Sequence, residues 1–328
     1  MLFEISLIFA LLLLIWTIVT FRRWKRSLLS KLEISSEIAN TAAGEIEYVL
    51  RGNGPVVLFL HGGPGGYDQG LIESETWNDG GFSVLSISRP GYLRTPLSTG
   101  ETFEEQADAI EALMVSLGIS EVAVIGASAG GPVALQFALG HPKRVKALIL
   151  MAAVSHEYSV REDQKDSLLG RIFLSDTMAD IGVWIFDILT RRWTSLSLKE
   201  SFKGTVGLDS AELNDYVKQV MSMPEQVLWF KRFVRTTCPM SPRMDGLNND
   251  LEQLEKVDFE NLSDITCPTM VVHGTVDTDV SFSNAEFSTN SIPNSRLYKF
   301  DNVGHLVWLG EHVSKMNSDL LEFLRESF

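Results

Sequence analysis

The sequence predicts an α/β fold: a mostly parallel sheet flanked by helices, with an inserted helical cap and an N-terminal transmembrane helix. Three observations predict it. Short apolar runs alternate with helix-like stretches, the alternation breaks off once between about Ser155 and Asp264, and the N-terminus is almost free of charge. The expected organisation is an anchor with its basic flank at 1–26, a linker at 27–43, a core in two pieces at 44–154 and 265–328, and the cap at 155–264.

The apolar runs are Val56–Leu60, Val84–Ile87, Val122–Ile125, Ala147–Met151, Met270–Val272 and Leu297–Phe300. They are rich in Val, Ile and Leu and lack strict alternation, as strands covered on both faces do. Between them, Phe103–Leu117, Gly130–Leu139 and His312–Phe323 carry apolar residues near a 3.6 period. Strands alternating with helices argue for a parallel sheet. The interrupting region reads as helices alone, at Leu168–Leu189, Leu213–Met221 and Pro224–Val234, and strand–helix order resumes at Met270. That resumption favours an insertion over a separate domain. Its apolar, aromatic stretch Ile172–Trp193 suits ordinary packing of cap on core, or a lid that touches a membrane.

Ile5 to Phe21 holds 17 residues without charge, and extension back to Leu2 is interrupted only by Glu4. About 20 helical residues span the roughly 30 Å hydrocarbon layer of a bilayer. A cleavable signal peptide has its basic residues before the apolar stretch and a small-residue site after it. Here Arg22-Arg-Trp-Lys-Arg26 follows the stretch, so an uncleaved single-pass anchor through residues 2–21 is expected. Basic residues favour the cytoplasmic side, which places the body in the cytosol. Trp16, Phe21 and Trp24 suit an interfacial belt.

Residues 1–31 carry five basic side chains and one acid, leaving 23 basic against 41 acidic residues beyond them, a net of −18. A body so acidic repels nucleic acid and excludes it as a partner. The two cysteines, Cys238 and Cys267, make no disulfide framework and lack metal-ligand spacing; both read as free thiols.

The run Val122–Ile125 leads directly into Gly126-Ala127-Ser128-Ala129-Gly130 and then a helix-like stretch. This is G-x-S-x-G in the strand–turn–helix context that gives it meaning. The turn is so tight that the serine backbone is strained, and flanking side chains larger than a methyl collide with strand and helix. The hydroxyl is thereby presented at the carboxyl edge of the sheet, at a helix N-terminus that favours a developing anion.

With these motifs the chain resembles the α/β-hydrolase superfamily from roughly Gly44 to Phe328. The resemblance implies Ser128 as nucleophile. His61-Gly-Gly-Pro-Gly-Gly66 follows the first strand, and in the family this loop supplies one oxyanion-hole N–H: Gly63 is favoured, with Gly62 the alternative. Ala129, after the serine, supplies the other. Acyl transfer passes through a tetrahedral oxyanion, which fixed backbone donors stabilise without reorganising. His61 itself is expected to hold the loop. The family order of serine, acid, histidine points to His305, in the polar loop Asp301-Asn-Val-Gly-His305 after a strand, as the base. The resemblance places the acid at Asp277, after Met270–Val272, with Asp279 as the fallback. Ser88-Arg-Pro-Gly-Tyr92 resembles a structural loop of relatives and is given no chemistry.

The resemblance implies hydrolysis of a carboxylic ester, with no metal and no organic cofactor. The membrane anchor favours a hydrophobic, lipid-like small-molecule ester. A serine at the elbow argues against the epoxide hydrolase and dehalogenase branches, which use Asp there. Three alternatives stay open: a proline iminopeptidase-like aminopeptidase, whose HGGPG loop is the same; a carbon–carbon bond hydrolase on the same triad; and a non-catalytic receptor that keeps the fold.

Overall fold

The computed structural model describes residues 2–156, 158 and 178–328. In chain order the regular elements are α1 (Leu2–Ile34), β1 (Glu37–Thr41), β2 (Gly44–Arg51), β3 (Val56–Leu60), α2 (Tyr67–Asp79), β4 (Ser83–Ile87), α3 (Phe103–Leu117), β5 (Val122–Ala127), α4 (Gly131–Gly140) and β6 (Val145–Met151). There follow the helices α5 (Ala179–Arg192), α6 (Thr194–Thr205), α7 (Ser210–Met221), α8 (Pro224–Arg235) and α9 (Met244–Leu254). The chain ends with β7 (Thr269–Gly274), α10 (Ser283–Ser291), β8 (Ser295–Phe300) and α11 (Val313–Ser327).

All six apolar runs form strands, in one eight-stranded sheet of order β1-β2-β4-β3-β5-β6-β7-β8. From β4 to β8 every pairing is parallel, whereas β1–β2 and β2–β4 are antiparallel. The runs lack alternation because both faces are covered. Leu58, Leu60, Val124, Leu148, Leu150 and Val271 pack on one side with residues of α3 and α4. Val57, Phe59, Ile125, Ile149 and Val272 pack on the other with Trp77 of α2 and Met316 and Leu320 of α11. Burial of each such side chain contributes about 1.5–3 kcal/mol. Local signals set the helix ends: Thr102 and Glu105 form a reciprocal capping box on α3, and Gly118 ends it at φ 68°.

Residues 27–43, expected as a linker, are structured. Helix α1 runs unbroken to Ile34 and β1 begins at Glu37. The reason lies in what the stretch lacks: neither Gly nor Pro occurs between Arg22 and Ala43. β1 and β2 escape an apolar-run search because polar residues occupy one face; in β1 only Ala39 joins the core.

Between β6 and β7 the described residues hold helices and short 3-10 turns alone, as an inserted cap requires. The expected helix Leu168–Leu189 lies outside the described residues up to 177; from Ala179 it is α5, which continues to Arg192. Leu198, Phe202, Leu213, Val217 and Phe230 build a cap core that includes Leu306 and Leu309, on the loop after β8. Both cysteines are free, and Cys238 is buried. In α1, residues 3–16 are all exposed.

Candidate active site

Parallel strands end on one edge of the sheet, and there the loops after β3, β5, β7 and β8 meet. The turn after β5 puts Ser128 at φ 49°, a left-handed conformation costly for a residue with a Cβ. Its glycines are sterically required. A Cβ on Gly126 would lie 2.6 Å from Ala134 Cβ, and one on Gly130 would lie 2.8 Å from the His61 carbonyl oxygen. Ala129 follows at the first turn leading into α4.

The structure brings Ser128, His305 and Asp277 together. Nε2 of His305 lies 3.1 Å from Ser128 Oγ, and Nδ1 lies 2.9 Å from Asp277 Oδ2. With Nδ1–H donating to the carboxylate, the Nε2 lone pair is left for the serine hydroxyl. Asp277 Oδ1 accepts from the backbone N–H groups of Asp279 and Val280, both at 2.9 Å. Burial opposes charge on His305, but the carboxylates of Asp277 and, secondly, Asp279 raise its pKa to about 9. Burial likewise opposes charge on Asp277, and His305 and His273 bring its pKa down to about 2.

The glycine loop closes over the serine. A Cβ on Gly62 would sit 2.9 Å from Ser128 Cβ, so only glycine permits this approach. The Gly62 N–H donates to Gln69 Oε1 at 2.9 Å, which commits it elsewhere and favours Gly63 as the donor. His61 holds the loop as expected. Its Nε2 accepts the Arg89 N–H at 3.0 Å and its Nδ1 donates to Gly62 O at 2.8 Å. Burial, with Arg89 nearby, keeps this imidazole neutral by lowering its pKa well below the ordinary range.

Further side chains brace these three. His273 Nε2 stands 3.2 Å from Asp277 Oδ2. Asp279, the fallback acid, lies 3.5 Å from His305 Nε2 and accepts from Tyr158 Oη at 3.2 Å; it faces the serine side of the imidazole. The loop given no chemistry supplies Arg89, fully buried and paired bidentately with Asp250 of α9, which also accepts from Tyr92. The end of α6 braces the pair: Thr205 O accepts the His305 N–H at 3.0 Å, and Val206 bridges to Asp277. Among the described residues no group of three His, Cys, Asp or Glu side chains could hold a metal ion.

A family model described as alpha/beta hydrolase fold matches residues 55–311. A solved alpha/beta hydrolase fold protein from Nakamurella multipartita is 30% identical, with a TM-score of 0.83, over 90% of this chain and all of that one. An uncharacterized hydrolase of Bacillus subtilis (strain 168) is 29% identical over 86% of this chain and 95% of its own length. A 2-hydroxy-6-oxononadienedioate/2-hydroxy-6-oxononatrienedioate hydrolase of Pseudomonas putida is 27% identical over 89% and 96%. With the sheet order, the loops at its carboxyl edge and a family model spanning most of its length, the chain belongs to the α/β-hydrolase-fold family and is a hydrolase of that fold.

Proposed function

We propose that the protein is a membrane-anchored serine hydrolase that cleaves a carboxylic ester through an acyl-enzyme. The observation that carries this reading is the unbroken relay from Asp277 through His305 to Ser128 Oγ, at 2.9 and 3.1 Å. His305 Nε2 takes the serine proton as Oγ attacks the ester carbonyl. The resulting oxyanion is held by the N–H groups of Gly63 and Ala129. Collapse breaks the ester bond, and the alcohol leaves with the proton from His305. Water, deprotonated by the same imidazole, then releases the acid and restores Ser128. No cofactor enters these steps.

The anchor reading is supported by α1, whose most apolar 18 residues are entirely unburied and have a mean hydropathy of 2.3. A core helix of a soluble protein buries such a face. The basic cluster at Arg22–Arg26 favours a cytosolic catalytic body.

One observation favours a second reading, carbon–carbon bond hydrolysis on the same residues. Several relatives at 25–28% identity are hydrolases of 2-hydroxy-6-oxononadienedioate, a substrate with no ester bond. Turnover of a p-nitrophenyl ester series beside that dienedioate separates the two. The ester reading expects hydrolysis of the esters, improving with acyl length, and little action on the dienedioate. Turnover of the dienedioate alone would replace it with the second reading.

A further inference from the structure

Helix α1 is more than a tether. Its segment just beyond the apolar span is packed against the cap helix α5. The Phe21 ring meets Trp184 at 5.4 Å. Trp24 Nε1 donates to Asp187 Oδ2 at 2.8 Å, and Lys25 pairs with Asp180 at 2.5 Å. Leu28 is buried in one cluster with Ala179 and Val183. All four contacts fall within residues 21–28, about 10 Å of helix. The cap helix is therefore held at the level where α1 leaves its apolar stretch.

The order of the contacts shows which side of α5 faces the span. Leu28, farther from the span, packs with Ala179 and Val183; Phe21, at its end, meets Trp184. On a 3.6-residue period Trp184 shares its face with Ile188 and Arg191, and Ile185 adjoins it with Arg192. Just beyond lie Trp193 and Leu196, 63% and 47% exposed, and Ile185 is 56% exposed. Apolar and aromatic side chains left in water beside two arginines form the composition of a helix that rests in a headgroup layer. Arg191 is paired with Asp187 at 3.0 Å, but an acidic body has little other reason to gather Arg22, Arg23, Arg26 and Arg192 there.

We infer that the α5 face and the start of α6 form a second membrane contact, in which Ile185, Ile188, Trp193 and Leu196 enter the headgroup–acyl boundary and the arginines meet lipid phosphates. The occupant is the bilayer that holds α1, so this contact rests on the anchor reading. It fixes the orientation of the cap relative to the membrane, and so the direction from which a lipid-like substrate approaches.

The test uses the full chain with Cys267→Ser, reconstituted in vesicles of phosphatidylcholine and phosphatidylserine. An environment-sensitive fluorophore is attached, one site at a time, at Leu12→Cys, Trp193→Cys or Arg296→Cys, and doxyl-labelled phosphatidylcholine is the quencher. Leu12 lies in the span, whereas Arg296 is exposed on β8, at the sheet edge opposite β1. The expected result is strong quenching at 12, quenching at 193 within about twofold of it as for a boundary residue, and none at 296. Quenching at 12 with position 193 behaving like 296 would overturn the second contact and leave the anchor standing. No quenching at 12 would remove the anchor and this inference together.

Discussion

The carboxyl edge of the sheet and the seam between cap, core and α1 are both built from residues far apart in the chain, yet they are held by different physics. At the edge the serine is delivered by a local backbone demand: φ 49° at Ser128, and glycines at 62, 126 and 130 whose replacement would collide with neighbours. At the seam the fastenings are charge pairs and ring contacts. Arg89–Asp250, Arg243–Asp68, Lys25–Asp180 and Trp24–Asp187 join residues 155–175 positions apart. The serine is thus fixed by conformation, whereas placement of the cap is fixed by pairing.

Removing the acid while preserving its shape sharpens that contrast most. Asp277→Asn loses the charge that orients and stabilises the imidazolium, and kcat should fall about ten-thousandfold. Circular dichroism should be unchanged. A loss of less than tenfold would mean that Asp277 does not serve His305.

At the seam, Asp250→Ala strips the partner from the fully buried Arg89. An uncompensated buried charge costs about 3–5 kcal/mol. Urea unfolding followed by tryptophan fluorescence should lose stability on that scale. A change below about 1 kcal/mol, the size of a surface pair, would show that the pair does not fasten the cap.

The smallest effect is a pH shift. Because the His305 pKa is raised to about 9, its protonated form dominates at neutral pH, and only the neutral form accepts the serine proton. The kcat/KM of the wild type should therefore climb with pH and level off above about 9. Asp279→Asn removes a carboxylate 3.5 Å from Nε2. The acid limb should then move to lower pH, with severalfold more activity at pH 7. A limb that stays in place would show that Asp279 does not act on the imidazole.

What was legible in the sequence follows the same division. The central strands announce themselves because burial on both faces demands Val, Ile and Leu. Ser128, His305 and Asp277 lie in short motifs whose geometry needs particular residues, and the structure brings all three together. β1 and β2 stayed hidden because half their residues face water, and the helical continuation to Ile34 because its polar residues resemble a linker's. Arg89 and Asp250 were invisible as partners because a buried ion pair has no local signature: either residue alone reads as solvated surface. Gln69, whose side chain occupies the Gly62 N–H, is of the same kind.

Whether Ser128 is a reactive nucleophile can be read from labelling with a fluorophosphonate followed by peptide mass spectrometry. One adduct is expected, on Ser128, that disappears in Ser128→Ala and is much slower to form in His305→Ala. An unlabelled wild type, or equal labelling of the Ser128→Ala variant, would contradict it.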